Sequence, residues 1–193
     1  MNLRMIGALG LTTAMFVSTA LAFQPWAWNR PQAPRKESPA ISRALEVIAD
    51  WPDDSRDLAG AIIDEYGAPD KTSSSRLVWT ARPPWKNMTV FRRASDGGRA
   101  ALLLRTVAYV VPVQRWRALE AFGHGVEYDP LKGELSARST GEAANFLALN
   151  LADEVVRGHL SAADASALYD KTLSLMLSGK SSSYTARLRF RPN

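Results

Sequence analysis

Residues 139–157 read STGEAANFLALNLADEVVR, and the rest of the chain is organised around this stretch. Ser139 followed three residues later by Glu142 has the form of a capping box, in which the serine oxygen accepts from a free backbone N–H and the glutamate reaches back to the cap. At about 100° per residue, Glu142, Asn150, Asp153, Glu154 and Arg157 share one arc of about 120°, while leucines, alanines and valines from Ala144 to Val156 fill the remainder. A helix with so wide an apolar face must be covered by other elements over most of its surface. Asn145 falls in the middle of the apolar arc. Leaving its amide unpaired there would cost on the order of 1–3 kcal/mol, so it is expected to pin a neighbouring loop or strand edge. Phe146 points into the polar arc and needs a cover, and Gly158 closes the helix.

Upstream, residues 126–128 and 134–137 flank Asp129-Pro130-Leu131-Lys132-Gly133 and read as a hairpin. After Pro112 a helix carries Val113, Trp116, Leu119 and Phe122 on one face and ends at Gly123. The run ALLLRTVAYVV, ending at Val111, is apolar on both faces except at Arg105 and Thr106, which predicts a central strand covered on both sides. Residues 76–80 (RLVWT) and 88–93 (MTVFRR) read as strands around Pro83-Pro84, followed by the turn Ser95-Asp96-Gly97-Gly98. Two helices precede them. One is capped by Ser38 with Pro39 at its first position and carries Ile41, Leu45 and Ile48; the other runs from Asp54 or Ser55 to Tyr66 and stops at Gly67, with Pro69 beyond.

Downstream, Ser161 and Asp164 form a capping signal for a helix through Ala165, Leu168, Tyr169, Leu173, Met176 and Leu177. The last segment alternates Tyr184, Ala186, Leu188 and Phe190 with Thr185, Arg187 and Arg189, which reads as a strand whose arginine face looks at water. The expected fold is α+β: a single domain over residues 39–193, with an antiparallel or mixed sheet of about five to six strands and about five helices.

Residues 1–22 carry Arg4, an apolar run over 5–17 and Ala20-Leu21-Ala22, the pattern of an export signal cleaved after Ala22. The expected location is periplasmic or secreted, with no transmembrane segment after cleavage. Residues 23–38 form a Pro-rich linker that includes Trp26 and Trp28. The chain has no cysteine, hence no disulfide, no thiolate metal site and no lipoprotein-type lipidation. Its net charge of +5 favours an anionic lipid surface or an acidic glycan as a neighbour, or an envelope protein. Nucleic acid is not expected of an exported chain without a basic helix or a reader motif.

The order helix, Tyr66-Gly67-Ala68-Pro69-Asp70, Arg76-Leu77-Val78-Trp79, Met88-Thr89-Val90-Phe91 resembles the SmpA/OmlA-like domains of bacterial envelope proteins, in which a helix, a Gly-x-Pro turn and a Trp-bearing strand recur. The chain as a whole, notably residues 145–152, is similar to a group of exported proteobacterial proteins, a likeness that brings no activity with it.

No catalytic residue, metal site or cofactor is expected. The two histidines are His124 and His159; His124 and Glu127, three apart on a short strand, point to opposite faces. There is no Gly-x-Ser-x-Gly elbow, and Asp96-Gly97-Gly98-Arg99 lacks the P-loop lysine. The candidate ligand-binding residues are Trp79, Trp85, Arg82 and Arg92, an aromatic loop beside a basic sheet face that also includes Arg93, Arg99 and Arg105. Core packing is the competing role for Trp79, Trp85 and Trp116. Ser139, Glu142, Asn145 and Gly67 are assigned structural roles. The expected function is non-enzymatic binding or scaffolding at the envelope. The alternatives are a hydrolase or glycan-modifying enzyme using Glu127, Asp129 or Glu134 in a cleft, and a chaperone-like peptide-binding module offering the edge of the last strand.

Overall fold

A computed structural model describes residues 38–93 and 101–193, so the expected export signal over residues 1–22, Trp26, Trp28, the turn expected at 95–98 and Arg99 lie outside the described residues. Ser38 Oγ accepts from Ile41 N at 3.2 Å and Pro39 opens α1 (Pro39–Ile48), where its missing N–H is harmless. A short Pro52 turn leads to α2 (Asp53–Tyr66), which Gly67 ends. Six strands follow: β1 (Lys71–Thr72), β2 (Arg76–Arg82), β3 (Trp85–Phe91), β4 (Leu103–Ala108), β5 (Val126–Asp129) and β6 (Glu134–Ser139). A 3-10 turn at Val113–Arg115 and α3 (Trp116–Phe122) lie between β4 and β5, and α4 (Glu142–Arg157), α5 (Ala162–Leu177) and α6 (Ser183–Ala186) complete the chain. The architecture is α+β, with one antiparallel sheet of order β1-β2-β3-β4-β6-β5.

Strand register puts Trp79, Met88, Arg105, Ala137 and Val126 in one line across the sheet. Leu77, Val90, Leu103 and Ser139 form the next line. These residues face the helices. Helices α1 and α2 pack at the β1–β3 end and α4 at the β4–β6 end, and α4 is buried almost all round. Most of its polar arc is not solvated, because Glu142, Asn150, Asp153 and Glu154 each hold another element, and only Arg157 at the end is exposed. Asp153 accepts from Tyr109 Oη at 2.5 Å and from Arg157 Nε at 2.9 Å. Burial, reinforced by the Asp153 carboxylate, pushes the Tyr109 hydroxyl well above the ordinary phenol value.

Four sequence expectations are corrected. First, residues 184–190 are not a strand. Tyr184 lies in α6, and the following backbone is held by α4: Asn150 Nδ2 donates to Tyr184 O and Arg187 O at 2.9 and 2.8 Å, and Asn150 Oδ1 accepts from Arg189 N at 2.7 Å. A side chain thus satisfies groups that a sheet partner would otherwise satisfy. Arg187, Arg189 and Arg191 therefore line no strand, and no edge is offered there for β-augmentation. Second, Ser139 and Glu142 form no capping box. Ser139 is still paired with Leu103 in β6, so α4 starts only at Glu142, with Gly141 as its cap residue. Third, β4 is shorter than the apolar run, and Leu104 and Ala108 on its outer face are only half-buried. Fourth, Trp116 is 39% exposed, its indole Nε1 donating to Val111 O at 2.9 Å, because the roughly two turns of α3 bury only Leu119 and Phe122.

Asp70, just before β1, ties the open end of the β1–β2 pair to β2. Its carboxylate accepts from Thr80 N at 2.6 Å, Thr80 Oγ1 at 2.8 Å and Arg82 Nη2 at 3.1 Å. The backbone N–H of Thr80 is the main cause holding its pKa below the ordinary 3.8. A depressed carboxylate pKa adds stability that is complete above the ordinary value and is lost as the pH falls through the lowered one. Acid unfolding followed by circular dichroism is therefore expected to have a shallower pH dependence below pH 3.8 in Asp70→Asn than in the native chain. Identical acid profiles would show that these Asp70 contacts contribute nothing.

Candidate functional site

An apolar cleft runs between α2 on one side and the first turns of α4 with the C-terminal segment on the other, with a volume of about 1680 Å³. Its origin is local sequence. On α2, Ala59, Ile62 and Ile63 are buried against the core, while the adjacent Leu58, Gly60 and Ala61 are half-buried and form a low wall whose small residues leave space. Leu188 and Phe190 contribute the opposite wall, placed there by the Asn150 hydrogen bonds. Charges stand on the two lips, Asp57, Asp64 and Glu65 on α2 and Arg187 and Arg191 on the C-terminal segment.

The end of the cleft is built on Arg105. This arginine lies in the middle of β4 and is fully buried. Its Nη1 donates to Glu142 Oε1 at 2.6 Å. Its guanidinium carbon lies 4.5 Å from the Trp85 ring, 5.5 Å from Tyr66 and 5.6 Å from Phe146. Trp85 and Phe146 pack on each other with centroids 5.7 Å apart, and Trp85 Nε1 donates to Tyr66 Oη at 3.2 Å. Nε and Nη2 of Arg105 have no hydrogen-bond partner. Ring faces substitute in part, since a desolvated cation over an aromatic face gains about 2 kcal/mol. Burial raises the Tyr66 hydroxyl above the ordinary 10.0, although the Arg105 charge pulls it down. Tyr66, Trp85, Glu142 and Phe146 line the cleft, with Arg105 behind them.

The residues singled out from sequence do not meet in one place. Trp85 is buried and lines the cleft, whereas Trp79 is buried in the core with Nε1 donating to Gly67 O at 2.9 Å. Arg82 donates to Thr80 O at 2.6 Å and pairs with Asp70. Arg92 donates to Asp50 O at 2.9 Å. Arg82 and Arg92 stand at opposite ends of the β2–β3 pair, about 20 Å apart at strand spacing. Asn145 is buried: its Nδ2 donates to Leu103 O at 3.3 Å, and Ser139 Oγ lies 2.8 Å from both Asn145 Oδ1 and Gly141 O. Together they tie β4, β6 and α4. Glu142 serves Arg105 rather than a cap.

The carboxylates proposed for hydrolysis do not reach the cleft. Asp129 accepts from Leu131 N and Lys132 N and pairs with Lys132; Glu134 pairs with Lys86 at 2.7 Å; Glu127 is exposed on the edge strand. None of the three lines the cleft. His124 stacks on Tyr169, with ring centroids 4.1 Å apart. Among the described residues no group of three His, Asp or Glu side chains is arranged to hold a metal ion. No histidine lines the cleft, and Glu142, which does, is already engaged by Arg105.

Sequence reasoning put Arg105 on a basic sheet face, whereas it is fully buried beneath the helices, and it put Asn150 on the polar arc of α4 without naming its partners. For Arg105 a signal existed, since it shares strand parity with Leu103 and Val107. For Asn150 none did. The fold and cleft define an α+β protein with an apolar groove in its helical layer. No protein-family model, no curated protein and no solved structure matches the chain.

Proposed function

We propose that this is an exported envelope protein that binds, without transforming it, an amphipathic molecule whose apolar chain lies in the cleft. The apolar cleft carries the reading: at about 1680 Å³ it exceeds the roughly 300–1,000 Å³ of sites for compact ligands and suits an elongated chain. Arg187 and Arg191 on the C-terminal lip, away from the acidic α2 lip, offer a place for an anionic head, and the net charge of +5 favours one, so the ligand class is a fatty acid or anionic lipid. The signal pattern over residues 1–22 supports export to the periplasm or beyond. The SmpA/OmlA resemblance, which covers α2 to β3 and hence one cleft wall, supports an envelope location.

The test uses the chain from Phe23 onward, titrated with a brominated fatty acid below its micelle concentration. Trp85 borders the cleft, so bound bromine is expected to quench part of the tryptophan fluorescence. The quenched component should vanish in Trp85→Phe, and affinity should fall about tenfold in Ala61→Phe, which narrows the cleft without touching the Arg105 cluster. Unchanged quenching in both variants would locate the fatty acid elsewhere and defeat the proposal.

A further inference from the structure

At one end of the β2–β3 pair, away from the cleft, four arginines line a depression beside Phe91: Arg76 and Arg138 on the outer face, and Arg92 and Arg93 just beyond the strand, with Arg92 Nη2 also donating to Asp50 O at 2.9 Å. Arg76 on β2 stands directly opposite Phe91 on β3. The alternation that buries Leu77 and Val90 under the helices turns this pair outward. Arg138 on β6 lies between buried Ala137 and Ser139 and also points outward, its guanidinium carbon 4.2 Å from the Phe91 ring centroid. Arg92 and Arg93 follow the end of β3. With Ser75 these residues line a depression of about 330 Å³.

These four arginines line one depression with no acidic partner among the described residues. Arg56, Arg82, Arg105, Arg157 and Arg189 each pair with a carboxylate. Among the described residues, no carboxylate pairs with Arg76, Arg92, Arg93 or Arg138. Two of the four are also buried in part without satisfaction: Nε of Arg92 and Nε of Arg138 are out of water with no acceptor. Removing a charged donor from water without an acceptor is costly, and four like charges around so small a space repel. A polyvalent oxyanion relieves both, and the planar guanidinium fork matches a phosphate geometrically.

We infer that the depression between Arg76, Arg92, Arg93 and Arg138 binds a phosphate group carried by a phosphomonoester or diphosphate. The phosphate belongs either to a small solute or to a lipid headgroup, and the two sources are separable. Calorimetric titration with inorganic pyrophosphate probes the first. Flotation with phosphatidylcholine vesicles, with and without phosphatidic acid, probes the second. The informative variant is Arg76→Gln with Arg93→Gln, because both side chains are exposed and carry no structural bond. Its control is Arg43→Gln with Arg117→Gln, exposed positions on α1 and α3 that lower the net charge equally.

Pyrophosphate binding weakened about tenfold in the first variant and less than about twofold in the control assigns a soluble phosphate. Binding of phosphatidic acid vesicles alone, with the same ranking of variants, assigns a headgroup. Absence of binding in both arms, or equal loss in both variants, overturns the site. The cleft variant Ala61→Phe should leave the pyrophosphate isotherm unchanged, so this inference stands or falls apart from the cleft ligand.

Discussion

Replacing Arg105 by alanine is expected to destabilise the protein by about 3–5 kcal/mol, the range for breaking a buried ion pair on one side. Arg105 has no exposed surface and Glu142 is 21% exposed in its side chain. Removing the guanidinium therefore empties the space between Trp85, Tyr66 and Phe146 and leaves Glu142 facing aromatic rings. Against a typical total stability of about 5–15 kcal/mol the loss is severe, and the variant can be largely unfolded. A second substitution keeps the argument testable. Arg105→Met combined with Glu142→Gln fills the volume and removes both charges, and such replacements are often neutral. Urea unfolding is expected to place this double variant within about 1.5 kcal/mol of the native chain. If Arg105→Ala costs less than about 1 kcal/mol, or the double variant is as unstable as the single one, the pairing account is wrong.

Asn150→Leu should release the C-terminal segment before the rest of the molecule. The substitution roughly conserves side-chain size but orphans Tyr184 O, Arg187 O and Arg189 N, which Asn150 holds at 2.7 to 2.9 Å. Each buried orphan costs about 1–3 kcal/mol. The total is capped, because the segment can peel into water and forfeit only its own packing, chiefly Phe190 and the half-buried Leu188. A loss of about 2–4 kcal/mol is therefore expected, concentrated in residues 183–193. Hydrogen exchange should show early loss of protection at the Arg189 amide, and a trypsin-like protease should cut after Arg187 and Arg189 while the sheet stays intact. Protection lost evenly across the molecule would contradict a local anchoring role. Because Leu188 and Phe190 form one wall of the cleft, the same variant should also weaken binding of the fatty acid.

The parts of the fold that were legible in the sequence are those governed by neighbours in the chain. Ser38 with Pro39, and Ser161 with Asp164, start their helices where the capping chemistry says. The turn residues around Asp129 and Gly133 make a hairpin. The width of the apolar arc over residues 139–157 marks α4 as the central helix. The boundary error at Ser139 has a physical cause: β6 pairing with β4 extends through Ser139, and ladder bonds from a strand some 35 residues away outweigh a local cap. The C-terminal alternation has a similar cause. A period of two marks an extended segment with one side inward, and it does not say whether a strand or a single asparagine satisfies the backbone.

The cleft and the two arginine arrangements were less accessible. The sequence placed arginines on strands but left open which would be buried, paired or clustered. Arg105 finds Glu142 thirty-seven residues away and rings from three other elements. Arg138 reaches Phe91 only because β6 docks on β4 in the middle of the sheet. Most helix ends and turns follow from interactions within a few residues, so the chain states them by itself; the start of α4 and the C-terminal segment, both set by distant partners, are the exceptions. Whether a polar group is buried, and which distant group satisfies it, depends on strand order and helix docking. The energy of a buried charge is set by partners that no local pattern names.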